Sequence, residues 1–300
     1  MSRKIIYIIN PVSGTKSKKD LRKFIEVKTK EKGIAYSIFP SVADGNYSFL
    51  RPIIKEEKIT DIVIAGGDGT VSSVAGSLLN EDVNFGIIPC GSGNGLALFA
   101  KISKQPANAL DIIFNGRVSP IDGFYINDRF ACMLAGLGLD AKVAHEFADH
   151  PKRGLMTYAQ LTLKNFFSAK PFRFRLRLEQ EKFETEAFFI SIANSNQFGN
   201  NFTIAPKASL TDGLLDIVIV TSQNKVSFLL QTLKQVAGWN VLKSSSVISQ
   251  KSGVIYFQTD KIEITNYSEA PLHIDGDPAE TPHKLLVEVK KKCFRLIQPA

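Results

Sequence analysis

The stretch Asp61-Ile62-Val63-Ile64-Ala65-Gly66-Gly67-Asp68-Gly69-Thr70 decides how the rest of the chain is read. Ile62 to Ala65 form an unbroken apolar run, the pattern of a strand covered on both faces, as in a parallel sheet. The run stops at two glycines, and residues 71–79 then carry the composition of a helix. Glycines at a strand-to-helix turn let the backbone approach a ligand closely. The start of the following helix adds free N–H groups and a partial positive charge, a seat for phosphate. A carboxylate in that seat would repel phosphate unless a cation bridged the two. Asp68 is therefore a candidate functional residue. The plain alternative is a tight turn with a polar tip, and one Gly-Gly-x-Gly does not decide between them.

Similar punctuation occurs on either side. Residues 4–9 (K-I-I-Y-I-I) read as a buried strand closed by Asn10-Pro11-Val12-Ser13-Gly14, where small residues and a hydroxyl meet a glycine. Residues 85–89 (F-G-I-I-P) read as another, followed by Cys90-Gly91-Ser92-Gly93-Asn94-Gly95 and a helix over 96–101. Helices are expected over 21–32 and 47–57, and a strand over 35–39. Lys16, Lys18 and Lys19 read as a solvated helix start, the alternative being added positive charge at the first loop. Four strands alternating with helices predict a parallel, doubly wound sheet with right-handed crossovers. Ligands of such sheets sit beyond the carboxyl ends of the strands, where all three glycine loops fall.

Length and composition set the outer bounds. Three hundred residues make one large or two ordinary domains. A hydrophobic fraction of 44% and a charged fraction of 22% fit a soluble globular chain. The net charge of +8 favours an anionic partner without choosing among nucleic acid, a phosphorylated ligand and an acidic membrane. Cys90, Cys132 and Cys293 are few, scattered and odd in number, as expected of reduced thiols in the cytoplasm rather than a disulfide frame or zinc site. The chain runs almost directly from Met1 into a strand, so no leader is expected. No apolar stretch is long enough to span a bilayer.

The texture changes near Pro120. Residues 121–127 and 129–134 read as strands around a turn at Asn127-Asp128. Alternating stretches follow at 172–178 (F-R-F-R-L-R-L) and 183–192, the pattern of a half-exposed antiparallel sheet. Further strands are expected at 215–220, 254–258, 261–265 and 285–289, with helices at 155–167 and 226–239. The organisation is thus an α/β domain over 1–125 and a β-rich domain over 126–289. Residues 293–297 are apolar enough to pack, and 290–300 is a candidate to return to the first domain.

Taken together, these motifs resemble those of the diacylglycerol kinase catalytic-domain family of lipid kinases, which includes soluble bacterial members and the sphingosine kinases. Asn10-Pro11-x-Ser13-Gly14 resembles its first nucleotide loop, and Gly66–Thr70 its G-G-D-G-T signature. Pro89-x-Gly91-Ser92-Gly93-Asn94 is similar to P-x-G-[ST]-x-N. Later come Gly136-x-Gly138-x-Asp140-Ala141, then Asn194, Phe198, Gly199 and Pro206 in family spacing. Asp212-Gly213-Leu214-Leu215-Asp216 and Asp275-Gly276-Asp277 complete the series. Agreement at one short motif is common, whereas agreement in order along both halves is specific.

The resemblance implies a phosphofructokinase- or NAD kinase-like α/β domain and a C-terminal antiparallel β-sandwich, with the active site in the cleft between them. It implies transfer of the ATP γ-phosphate to a lipid hydroxyl, with ATP and Mg²⁺ required and a diacylglycerol-like lipid as substrate. Phosphoryl transfer is mainly positioning and charge stabilisation, which suits phosphate loops, metal carboxylates and one base. By this resemblance ATP lies against Asn10, Pro11, Val12, Ser13, Gly14, Ser41, Gly66, Gly67, Asp68, Gly69, Thr70, Val71, Ser72, Gly91, Ser92 and Asn94. Asp275 is the implied base, and Asp68 and Asp122 the carboxylates of the catalytic Mg²⁺. Asp212, with carbonyls of Ser209 and Leu214, resembles a separate structural Mg²⁺ site. Gly95 stands where many bacterial members carry aspartate, and Asp277 where glutamate is common. Gly95 brings the third loop nearer to the sphingosine-kinase form, in which the G-G-D-G aspartate is assigned as base. That makes Asp68 the alternative base and a sphingoid base the alternative substrate.

Rival readings are weaker. No T-P-T-G-S-T-A-Y-like stretch supports an NAD kinase, and no G-T-I-D-N-D-like stretch a phosphofructokinase. A lipid-sensing module without activity would be expected to lose Asp68 or Asp275. A nucleic-acid binder would need a basic stripe with interleaved aromatics; Phe172-Arg173-Phe174-Arg175 comes closest but alternates as a strand does. The expected partners are ATP, a lipid and an anionic membrane bound peripherally, with a homodimer compatible.

Overall fold

The structure, a computed structural model, describes residues 3–14, 18–151, 155–179, 181–196, 205, 207–221 and 253–300. Lys16, Phe198, Gly199, Pro206 and the helix expected over 226–239 lie outside them. The chain divides into two compact units, the first formed by Met1–Ile121 with Lys292–Ala300, the second by Asp122–Lys291.

In the first unit, β1 (Lys4–Ile9), β2 (Ala35–Pro40), β3 (Asp61–Gly66) and β4 (Asn84–Pro89) are all parallel, in the order β2-β1-β3-β4. Ile5 to Ile8 and Ile62 to Ala65 are fully buried, because helices cover the sheet. Those helices are α1 (Lys18–Glu31), α2 (Leu50–Glu57), α3 (Asp68–Leu78), α4 (Gly95–Phe99) and α5 (Pro106–Asn115). Arg295 and Leu296, near the end of the chain, add a further parallel pairing on Asn84 and Phe85. The strand order reverses at β1, and the crevice beyond its carboxyl end is where such sheets bind ligands. One boundary differs from the sequence reading: α3 begins at Asp68 rather than near Val71. Gly67 is its extended N-cap, so the N–H groups of the first turn belong to the glycine loop itself.

The second unit is antiparallel. Its long strand β9 (Lys182–Ala193) pairs with β7 (Leu134–Gly138), β8 (Phe172–Arg177) and β10 (Leu215–Thr221). β11 (Val254–Thr259) pairs with β10, and β12 (Lys261–Asn266) joins β8 to β15 (Lys284–Gln298). Residues 124–126 of β5 (Arg117–Ile126) pair with β6 (Arg129–Ala131). A hairpin of β13 (Leu272–Ile274) and β14 (Asp277–Ala279) lies on β7. The helices α6 (Leu139–Asp149) and α7 (Leu155–Ser168) pack on each other. Phe124, Phe174, Ile190, Ile192, Ile217, Ile262 and Val287 form one apolar core. Alternation delivers these residues inward and Arg173, Arg175 and Arg177 outward, as the F-R-F-R-L-R pattern requires.

One expectation is corrected here, and one helix is added. Residues 129–134 are not one strand: β6 ends at Ala131 and Leu134 opens β7. The backbone between them is held by a side chain instead of a ladder. Helix α6 is absent from the sequence reading, because Gly136-Leu137-Gly138-Leu139 carries no Ser, Thr, Asp or Asn to cap a helix with its side chain. Its N-cap is Gly138 at φ 98°, a conformation that only glycine adopts readily.

Candidate active site

Asn10 closes β1 and its N–H donates to the Ala65 carbonyl at 2.9 Å. The Asn10 side chain accepts the Val12 N–H at 3.0 Å, an Asx turn, and donates to Thr70 Oγ1 at 2.9 Å. The first loop is thereby tied to the G-G-D-G-T loop. Ser13 Oγ donates to the Asn10 carbonyl, and Gly14 turns the chain away at φ 65°. Pro11 and Val12 stand exposed at the tip. Ser41, just past β2, donates its N–H to Ile9.

The second and third loops meet backbone to backbone. A Cβ added at Gly91 would lie 2.6 Å from Gly67 Cα, and one at Gly67 would lie 3.2 Å from Gly91 Cα. Asn94 holds the third loop's shape from inside: its Oδ1 accepts the Gly91 N–H at 2.8 Å and its Nδ2 donates to the Gly91 carbonyl at 2.7 Å. Asn94 is itself left-handed, at φ 55°, and buried. Ser92 stands exposed on the same loop. Asp68 spans both loops, accepting the Gly95 N–H at 3.0 Å and the Leu96 N–H at 3.1 Å. Its carboxylate therefore seats the N-terminus of α4. Gly66, Gly69, Val71 and Ser72 complete β3 and the first turns of α3, with Val71 and Ser72 buried. The product is a half-open cradle with the N-terminus of α3 at its base, the arrangement that binds phosphates.

In the second unit Asp275 and Gly276 form the two-residue turn of the β13–β14 hairpin, at φ 50° and 87°. Two left-handed residues at such a turn are the type I′ signature that Asp-Gly supplies. The Asp275 carboxylate is buried and turned inward. Its Oδ1 accepts the N–H groups of Met133 and Leu134, at 3.0 and 2.8 Å, and its Oδ2 that of Cys132, at 3.0 Å. This carboxylate is what holds the break between β6 and β7. Asp277, two residues on, is exposed.

Asp122 is buried, and its Oδ2 accepts the Gly213 N–H at 2.8 Å. Asp212 Oδ1 accepts the Leu214 N–H at 3.1 Å, and the Ser209 hydroxyl lies against Thr211. The Asp212 carboxyl is held above its ordinary range, first by partial burial and then by the negative charge of Asp122. Asp216 is raised to about 6, chiefly by burial, although Tyr256 and Gln258 donate to it. Asn194, given no role from sequence, links these groups: its Nδ2 donates to the carbonyls of Asp122 and Cys132. Its membership of a shared motif was the signal, but not its direction.

The model of the diacylglycerol kinase catalytic domain matches residues 4–126, and that of the YegS C-terminal NAD kinase beta sandwich-like domain matches residues 134–298. The chain belongs to the diacylglycerol kinase catalytic-domain family. A Klebsiella pneumoniae protein named probable lipid kinase YegS-like is 30% identical over 73% of this chain and 72% of its own length. An uncharacterized protein of Synechocystis sp. is also 30% identical, over 78% of this chain, and the match spans about half (52%) of that protein. A crystal structure titled as a diacylglycerol kinase from Bacillus anthracis superposes with a TM-score of 0.73 over 99% of this chain and 97% of that one. At 20% identity it supports the shared fold.

Kinases of this family use ATP, and the residues present fit a cation beside it. Among the described residues no cluster of three His, Cys, Asp or Glu side chains forms an all-protein cage. Mg²⁺ needs none, since it keeps several waters and takes one or two carboxylates. Asp68 already uses both oxygens in backbone hydrogen bonds, and Mg²⁺ bound at the cradle would be reached by its carboxylate through retained waters. Asp212, raised first by partial burial and then by the charge of Asp122, is a carboxylate that a cation would relieve.

Proposed function

We propose that this chain, an ATP-dependent lipid kinase by family, moves the γ-phosphate of Mg·ATP onto the hydroxyl of a diacylglycerol-like lipid. The observation that carries the reading is the backbone contact of Gly67 with Gly91, which leaves a cradle free of side chains at the carboxyl ends of β3 and β4. In this reading the phosphates lie on the first-turn N–H groups of α3, with the Asn10–Gly14 loop and Ser41, Ser92 and Asn94 shaping the rim. Asp68 and Asp122 are proposed to reach the catalytic Mg²⁺, and Asp212 with the carbonyls of Ser209 and Leu214 a structural one. Bound Mg²⁺ would neutralise charge developing on the transferred group. The protein is proposed to meet its lipid as a peripheral visitor to an anionic membrane surface; among the described residues no helix is long and apolar enough to cross one.

For the proton of the lipid hydroxyl, a base must reach it within hydrogen-bonding distance. Asp275 is the residue the motif implies, yet its carboxylate is buried with three backbone N–H bonds. That favours a second reading in which Asp275 shapes the turn and exposed Asp277 takes the proton. Turnover and stability separate the two. Asp277→Asn should lower kcat by roughly 10²-fold or more, within the range of acid–base groups. Asp275→Asn can keep at most one oxygen acceptor, so the buried Cys132 N–H loses its partner at about 1–3 kcal/mol. If Asp277→Asn turns over normally and Asp275→Asn is folded but inactive, the base is Asp275. If both turn over normally and Asp68→Asn is inactive with Mg·ATP affinity intact, the base is Asp68. Failure of the wild-type protein to phosphorylate any of diacylglycerol, phosphatidylglycerol, ceramide or a sphingoid base would sink the reading as a whole.

A further inference from the structure

The Asp275–Gly276 turn is held from a second side by a residue that the site described so far does not use. His273, on β13, is buried, and its Nδ1 accepts the Gly276 N–H at 3.3 Å. A ring nitrogen that accepts carries no proton, so the neutral ring must bear its proton on Nε2. Nε2 faces Asp140 Oδ2 at 3.4 Å, on the first turn of α6. That oxygen is buried and makes no hydrogen bond of its own, while Oδ1 is occupied by the Ala141 N–H at 2.8 Å. A buried carboxylate oxygen facing Nε2 is what selects the Nε2–H form.

The neighbouring backbone is shaped to permit this contact. A Cβ at Gly136 would fall 2.0 Å from Asp140 Oδ2 and 2.6 Å from His273 Nε2, so any side chain there would separate the pair. Gly136 and His273 are register partners across β7 and β13, and Leu134 accepts the N–H of Asp275 at 2.8 Å. His273 therefore acts on a turn whose other contacts already fix one edge, and it holds the peptide that joins Asp275 to Gly276.

We propose that His273, held in its Nε2–H form by Asp140, is a positioning residue for the lipid-phosphorylating reaction. It sets the direction of the Asp275–Gly276 turn through the Gly276 N–H. The inference rests on the proposed kinase reading for its effect on rate, but its geometry can be tested without activity. Displacing a reacting group by about 1 Å can cost on the order of 10²-fold in rate. His273→Leu should therefore lower kcat by roughly tenfold or more, leaving KM for ATP unchanged. His273→Gln offers an amide oxygen to the Gly276 N–H and should recover a clear part of that loss. Asp140→Ala should lower kcat in the same sense.

The direct test is ¹⁵N NMR of the imidazole in the full chain, with ring shifts assigned by comparing wild type with His273→Gln. The expected spectrum shows His273 protonated at Nε2 and bare at Nδ1, with a mixture of tautomers in Asp140→Ala. A proton on Nδ1 in the wild type would overturn the proposal whatever the kinetics, and holds as a test if His273→Leu fails to fold. Wild-type kcat in folded His273→Leu, or equal losses in His273→Leu and His273→Gln, would also overturn it. Should the wild type phosphorylate no lipid, the kinase reading fails on that result, while the ring spectrum still decides the role of His273 in the turn.

Discussion

Gly91→Ala asks whether the meeting of two loops is what makes the nucleotide seat. The perturbation is a single methyl group. Gly91 has no positive φ, so alanine is not penalised by its own backbone. The cost comes from the opposing chain: the new carbon would sit 2.6 Å from Gly67 Cα, 3.4 Å from Gly67 N and 3.1 Å from Asn94 Oδ1. Ordinary carbon contacts begin near 3.5 Å, so the loops must part by about 1 Å. Neither neighbour yields cheaply, because Gly67 is the N-cap of α3 and Asn94 is tied to Gly91 at both ends of its amide. Overpacking of this kind costs about 1–3 kcal/mol of stability. The same shift moves the first turn of α3 within the proposed phosphate seat, and a misplacement of about 1 Å can lower the rate by roughly 10²-fold. Calorimetric titration with Mg·ATP, a turnover assay and a thermal melt read affinity, rate and stability separately. Gly67→Ala, whose added carbon would stand 3.2 Å from Gly91 Cα, should show the same pattern more weakly. A folded Gly91→Ala protein with wild-type ATP affinity would refute the reasoning, because the cradle would then not depend on the contact that defines it.

Two further outcomes follow from charge. The Asp216 carboxyl lies at about 6 in the folded protein against 3.8 in the open chain, so the folded state holds its proton more tightly. Stability from this group is full below about pH 4 and is lost as pH rises towards 6, by up to about 3 kcal/mol. Denaturation of wild type and Asp216→Asn in chelator across that range should show the difference, and parallel curves would contradict it. The net charge of +8 should give binding to anionic but not neutral vesicles at low salt, lost as the screening length falls from about 10 Å at 0.1 M to about 3 Å at 1 M. Equal binding to both kinds of vesicle would argue against a peripheral electrostatic attachment.

The fold was readable where the code is local. Ile5 to Ile8 and Ile62 to Ala65 announce doubly covered strands because no polar residue interrupts them, and Phe172–Arg177 announces a half-exposed one by strict alternation. What resisted reading was set by partners far along the chain. The break after Ala131 has no glycine or proline to mark it; it exists because Asp275, more than 140 positions later, accepts the N–H groups of residues 132–134. Residues 285–289 and 293–297 looked like separate pieces because three lysines divide them, yet Lys284–Gln298 is one continuous strand. The lysines do mark a bend, since Lys292 is left-handed at φ 49°, and the division between the two units falls between Lys291 and Lys292. His273 was invisible for another reason: one histidine in an apolar run says nothing until Asp140 is known to face it.

Asp68 and Asp275, the two residues that the motifs mark as catalytic, solve the same structural problem in separate units. Each is a carboxylate beside a glycine, and each uses both oxygens to gather consecutive backbone N–H groups from another segment. A glycine-rich loop can approach a ligand only because it lacks side chains, and for that reason it cannot hold itself together. An aspartate reaching across from the next loop supplies the missing constraint without filling the cradle, and it does so with charge-assisted bonds stronger than neutral ones. The requirement for aspartate at such a position is therefore already explained before any proton or metal is considered. Chemistry has to be argued separately from that support, starting from the exposed carboxylate of Asp277. By this reasoning the Asp→Asn pair at 275 and 277 is more informative than removal of either side chain. It preserves shape at both positions, and at 275 it removes a backbone hydrogen bond whose loss a melt reads separately from turnover.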